Sequence, residues 1–177
     1  MSLNNVDLES VGGLVGAIQE DPAKAATTWS ANVAWTGGFR SEVRIRDFAP
    51  VPSDEPAGLG GTDTAPNPVE QLLGALGNCL AVGYAANASV AGIEIRSLDI
   101  EVTGDLDLHT FLGLDDQGHA GFRSIEARVA LESDASPEAI EALHAKVTAT
   151  SPVGHTLGRT IPVGIDLAGA RRSEAVA

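Results

Sequence analysis

Apolar positions recur along this chain with two different periods, and the changes from one to the other mark its elements. Leu8, Val11, Leu14, Val15 and Ile18 fall at helical spacing, and Asp21-Pro22 closes that segment because a residue before proline is pushed out of the helical region. From Thr27 to Trp35 the chain is rich in β-branched and aromatic residues. From Phe39 to Phe48 apolar and charged positions alternate, with Gly37-Gly38 between the two runs, so the pair predicts a hairpin. Residues 49–68 follow neither period and carry a concentration of proline and glycine. They predict a loop of about 20 residues, a length that in a compact domain is usually functional.

The strongest helix signal runs from Pro68 to about Ala91, with Asn67 as cap, proline in the first turn and Glu70 as its only ionised residue. Small or apolar residues occupy its whole circumference, which predicts a helix buried on nearly all sides. Gly74, Gly77 and Gly83 cost about 1 kcal/mol each relative to alanine, and close packing against other backbone would offset them. Alternation then marks strands over Ile93–Leu108 and Gly121–Glu132, around a polar loop from His109 to Ala120 with Phe111-Leu112 inserted. Ser136-Pro137-Glu138 starts a helix that ends near Thr150. Ser151-Pro152-Val153 interrupts, a short turn runs through Leu157, and Thr160–Leu167 reads as a last strand. The order strand, strand, long helix, strand, strand, helix, strand predicts an α+β fold, mostly antiparallel sheet packed around a long buried central helix. Residues 1–26 stand as an N-terminal helical appendage, 27–168 as the folded domain, and 169–177 as a polar, frayed tail. There is no internal repeat.

Charge narrows the function. Asp and Glu number 24 against 11 Lys and Arg, a net charge of −13 over 177 residues. Such a surface repels phosphate backbones and anionic lipid, so neither nucleic acid nor membrane is an expected partner. Apolar stretches fall short of the ~18 residues a spanning helix needs, and the start of the chain carries no secretory pattern. A cytoplasmic protein is the expectation. The single cysteine, Cys79, excludes an intrachain disulfide and a multi-cysteine metal site. His109, His119 and His144 lack metal-ligand spacing, and Gly58, Gly60 and Gly61 lack the context of a phosphate loop, so no metal and no cofactor are expected. Trp29 and Trp35 are expected in a core or an interface.

Cys79 admits two readings. Free cysteines are often small buried hydrophobes, whereas a reactive thiol needs a neighbour that favours its thiolate. Arg40, Arg44 and Arg46 on the second strand are the nearest cations in sequence. Glu70 either caps its helix or takes part in chemistry. Nine residues separate it from Cys79, a rotation of about 900° and roughly 13 Å along the axis, so the two lie on opposite faces of one helix. If they share a site, a second copy of the chain supplies one of them. His155 would approach Cys79 if its turn folds over the helix, and otherwise stands as a half-exposed turn histidine. Ser151 has no nucleophile elbow around it, which argues against a serine hydrolase.

The run G-G-T-D-T-A-P-N-P-V-E-Q-L-L-G-A-L-G-N-C at residues 60–79, with Ser151-Pro152-Val153-Gly154-His155-Thr156-Leu157, resembles the OsmC/Ohr family of osmotically induced and organic-hydroperoxide-resistance proteins. The resemblance spans about residues 27–168. It implies an intertwined homodimer with active sites at the subunit interface. It also implies a reactive helix cysteine at Cys79, a thiolate-stabilising arginine best matched by Arg40, and a helix-start glutamate at Glu70 that orients the arginine. The implied activity is thiol-dependent reduction of organic or lipid hydroperoxides. The chain departs from the pattern where the family's peroxidases carry a second, resolving cysteine: here Ser151 stands, and a hydroxyl cannot form a disulfide. Reduction would then need an external thiol. The alternative expectation is a non-enzymatic dimer that binds a small hydrophobic molecule or senses oxidation.

Overall fold

The computed structural model describes residues 2–167. Helix α1 spans Leu8–Glu20, and Asp7 caps it by accepting from the Ser10 N–H. Strands β1 (Asn32–Gly37), β2 (Arg40–Arg44) and β3 (Val51–Ser53) form an antiparallel sheet in that order. The β1–β2 turn requires glycine, since Gly37 and Gly38 have φ of 114° and 60°. Both strands are shorter than the alternation predicts.

Helix α2 (Pro68–Val90) begins with a complete capping box. Asn67 accepts the Glu70 N–H, and Glu70 returns a carboxylate oxygen to the Asn67 N–H at 2.8 Å. Strands β4 (Ser97–Leu106) and β5 (Phe122–Glu132) form a second, two-stranded antiparallel sheet, with the short helix α3 (Leu108–Phe111) in their connection. Helices α4 (Pro137–Thr150) and α5 (Pro152–Leu157) follow, capped by the Ser136 and Ser151 hydroxyls. The expected turn through Leu157 is thus a helix. The core lies where α4 and the β4–β5 sheet meet α2, around Tyr84, Ala88, Ile93, Leu143 and Val147. Gly83 lets α4 approach, because a Cβ there would meet a Val147 methyl at 3.0 Å.

Several expectations need correction. Residues 49–68 are not structureless: they hold β3 and a 3-10 turn over Ala57–Leu59, organised by one buried carboxylate. Asp54, 1% exposed, accepts from the Thr62 and Thr64 hydroxyls at 2.6 and 2.9 Å and from the backbone N–H groups of Glu55, Thr62 and Thr64. No local pattern announces this knot, because its partners lie eight to ten residues downstream.

Within one chain, helix α2 is not covered on all sides either. Leu72, Ala75, Cys79, Val82 and Ala86 lie along one stripe, and Leu72, Ala75 and Val82 are exposed, Val82 at 70%. Only Gly83 of the three helix glycines is closely packed. Gly77 makes ordinary contact with Val102, and Gly74 has no atom within 4 Å. Residues 160–167 form no strand: they run unpaired, with alternate Ile161, Val163, Ile165 and Leu167 exposed, Ile165 at 92%. A strand needs an edge to pair with, and no other segment of the described chain takes up its hydrogen bonds. Of the core or interface expected for Trp29 and Trp35, the core of the chain is excluded, with Trp35 76% exposed. The frayed tail and the end of the domain at 168 fall outside the described residues.

The N-terminal segment is stitched to the core. Asn4, at φ 53°, donates to Ser89 Oγ and the Ile93 carbonyl and accepts the Ile95 N–H at 2.8 Å. An asparagine tolerates that left-handed backbone better than most residues.

The Thr62 hydroxyl, followed by the Thr64 and Glu55 N–H groups, holds the Asp54 carboxyl well below the usual carboxylate range. A depressed folded value means that stabilisation is complete above the unfolded carboxyl range near pH 4. It is lost as pH falls through the folded value. Asp54→Asn is therefore expected to loosen residues 54–64 at neutral pH and to flatten the acid limb of the stability curve. Denaturant unfolding from pH 7 down to 2, with proteolysis mapping of the loop, checks both; an unchanged acid limb would contradict the assignment.

Candidate active site

Cys79 sits mid-way along α2, half-buried, one turn beyond the buried Leu76. Its sulfur lies 3.3 Å from the Ser151 hydroxyl oxygen. Ser151 is 5% exposed and placed by two elements at once, the end of α4 and the start of α5. Proline at the first position of α5 fits there, and the Ser151 oxygen takes the Gly154 N–H at 3.1 Å.

Beside this pair opens a cavity of about 500 Å³ between α2, β5, α4 and α5. Leu76, Leu80 and Val129 give it apolar walls, and Ser151, His155 and Arg159 supply polar groups. In the same cavity wall, the Tyr84 hydroxyl is hydrogen-bonded to His144 Nδ1. Burial raises the Tyr84 hydroxyl above its ordinary pKa, so it stays protonated at neutral pH. The arrangement joins one thiol, one hydroxyl and an apolar chamber able to hold a small organic molecule.

The remaining expected site residues lie apart from this pair within the chain. Glu70 is exposed at the start of α2 and engaged in the capping box. Of the three strand arginines, Arg44 lies 3.7 Å from Glu42, and Arg46 stacks over the Phe48 ring. Arg40 makes no salt bridge among the described residues and lines a small polar cleft with Ser41, Ser53 and Thr64. His155 lines the cavity wall.

Sequence reasoning missed Tyr84, His144 and Arg159 as cavity residues. Tyr84 and His144 meet across 60 positions, which no local pattern reveals. Arg159 had a signal: it is the only Lys or Arg between Lys146 and Arg171. Among the described residues no group of side chains is arranged to hold a metal, and no helix is long and apolar enough to cross a membrane.

A central helix carrying one thiol, flanked by an antiparallel hairpin and met by a helix-capping serine, defines a single-thiol α+β protein. A family model described as OsmC-like protein matches residues 61–166, and the chain belongs to that family. Among solved structures, an OsmC-like protein from Mycoplasma pneumoniae is 20% identical with a TM-score of 0.65, over 75% of this chain and 88% of that one. A Legionella pneumophila structure, described as an organic hydroperoxide resistance protein OsmC, predicted redox protein and regulator of sulfide bond formation, is 18% identical with a TM-score of 0.57. That match covers 75% of this chain and 91% of the other. These likenesses establish the fold. No curated protein matches the sequence.

Proposed function

We propose that this protein reduces organic or lipid hydroperoxides through Cys79 with electrons from an external thiol, as an intertwined homodimer. The observation that carries the reading is the half-buried Cys79 sulfur, on a helix stripe left uncovered by its own chain and 3.3 Å from the hydroxyl of Ser151, which lines a largely apolar cavity. The Cys79 thiolate attacks the terminal peroxide oxygen. The O–O bond breaks, the alkoxide leaves and takes up a proton as the alcohol, and sulfur becomes a sulfenic acid. A first external thiol condenses with it to a mixed disulfide and water. A second releases the Cys79 thiolate and departs as the disulfide of the two external thiols. Ser151 cannot take the resolving part, so both reducing equivalents come from outside.

The dimer reading rests on what one chain leaves bare. Strand β1 exposes Val33 and Trp35, the β1–β2 turn exposes Phe39, α2 exposes its cysteine stripe, and residues 160–167 expose alternate apolar side chains. Exposed apolar side chains grouped on such elements mark an interaction surface. In this reading the second copy supplies Arg40 and Glu70 to Cys79; the opposite-face geometry of α2 keeps Glu70 of the same helix away from it. Sedimentation at micromolar concentration is expected to return twice the chain mass.

The enzymatic reading is tested by consumption of an aliphatic hydroperoxide with a dithiol as reductant. Turnover is expected, and its absence in freshly reduced protein would end the reading. Arg40→Ala is expected to slow turnover by about tenfold to a hundredfold, through loss of a charge-assisted contact to the thiolate. Arg44→Ala, which removes only an exposed pair with Glu42, is expected to leave it within about twofold. Equal rates for the two variants would remove Arg40 from the site. The second reading, binding of a small hydrophobic molecule without turnover, is favoured by the size and apolar walls of the cavity. Saturable uptake of a fatty-acid-like fluorescent probe in protein that consumes no peroxide would support it.

A further inference from the structure

We infer that Ser151 is a positioning residue for the reactive sulfur: its hydroxyl donates a hydrogen bond to Cys79 and favours the thiolate. The inference rests on the reading of Cys79 as the reactive group, and it gives the residue at the resolving position a role of its own.

A serine hydroxyl has one hydrogen and two lone pairs. The Gly154 N–H, 3.1 Å away, occupies one lone pair as the cap of α5. The one other partner of the hydroxyl among the described residues is Cys79 Sγ at 3.3 Å. While the thiol is neutral, either group can be the donor. Once the proton leaves sulfur, the sulfur offers only lone pairs, and the contact survives only with Ser151 donating. The capping bond draws charge from the oxygen and so strengthens its hydrogen as a donor. Burial of Ser151 keeps water from competing for that hydrogen.

The placement of Ser151 depends on neither partner alone. Its backbone closes α4, its oxygen opens α5, and its own carbonyl accepts the His155 N–H at 2.9 Å. The side chain cannot swing away from sulfur without unmaking the start of α5. A hydroxyl fixed in this way holds a thiolate in place yet does not condense with the sulfenic acid formed when peroxide oxidises that sulfur, whereas a thiol at the same position would close a disulfide with it, releasing water.

Alkylation of Cys79 by iodoacetamide, followed against pH in the full-length reduced protein, tests this. The readout needs neither peroxide nor turnover. Ser151→Ala is expected to alkylate about tenfold more slowly at pH 7, with the rate profile displaced to higher pH, as loss of one hydrogen bond to an anion predicts. Ser151→Gly separates the hydroxyl from the cap, because glycine is tolerated at a helix start with little loss. It is expected to match the alanine variant. Ser151→Thr keeps the donor and is expected to restore the wild-type profile. An unchanged profile in the alanine and glycine variants would overturn the inference, as would slow, pH-insensitive labelling of the wild type. Peroxide consumption lost with the Ser151 profile intact would instead strike the enzymatic reading and leave this one standing.

Discussion

Replacing Cys79 with serine is expected to abolish thiol-dependent hydroperoxide consumption, by at least about a thousandfold, with the fold retained. Serine is nearly the size of cysteine, and the side chain is half-buried beside another hydroxyl that can accept or donate to it. The packing cost is therefore small. The chemical loss is not. Serine at neutral pH is a far weaker nucleophile toward peroxide oxygen, and it has no reversible oxidation state to return through. No second thiol exists in the chain to take over. Peroxide consumption with excess dithiol, beside circular dichroism of the same preparation, checks the expectation. Activity within tenfold of wild type would place the chemistry elsewhere.

The largest expected effect on stability lies at Gly61. A Cβ built there would stand 1.8 Å from the Glu55 carbonyl oxygen, a backbone atom that cannot yield as a flexible side chain could. The same carbonyl accepts the Asp63 N–H at 3.1 Å, inside the loop that Asp54 ties together. Gly61→Ala must open residues 55–63 to be accommodated, and it loses those bonds as it does. A cost of about 3 kcal/mol or more is expected, lowering the melting temperature by roughly 6–12 °C. Gly74→Ala is the control, since no atom lies within 4 Å of its added Cβ. It is expected to be neutral or to stabilise by up to about 1 kcal/mol through helix propensity. Thermal unfolding of the two variants side by side checks the contrast, and equal melting temperatures would refute the close approach.

The candidate site was half legible in advance. Cys79 stood out as a lone thiol in an apolar helix, and Ser151 as the substitute at a position where the resembling family carries sulfur. Their contact joins residues 72 apart, and only the packing of α4 and α5 against α2 creates it. Glu70 shows the opposite case. Its sequence signal was a first-turn acid, and within the chain that is what the carboxylate does. Arg40, Arg44 and Arg46 could not be ranked from spacing; the neighbours of each, Glu42 and Phe48 among them, separate them.

Periodicity, caps and turn glycines settled α1, the β1–β2 hairpin, α2, β4, β5 and α4, because each depends on residues within a few positions of one another: Asn67 with Glu70, Ser136 with Ala139, Gly37 with Gly38. Those same short-range forces carry no information about what an element will lie against. Whether α2 is covered on every side, whether residues 160–167 find an edge, and whether the proline-rich segment coils or knots around Asp54 depend on groups far away along the chain. Those outcomes were decided in three dimensions, where burial and distant hydrogen bonds outweigh local preference.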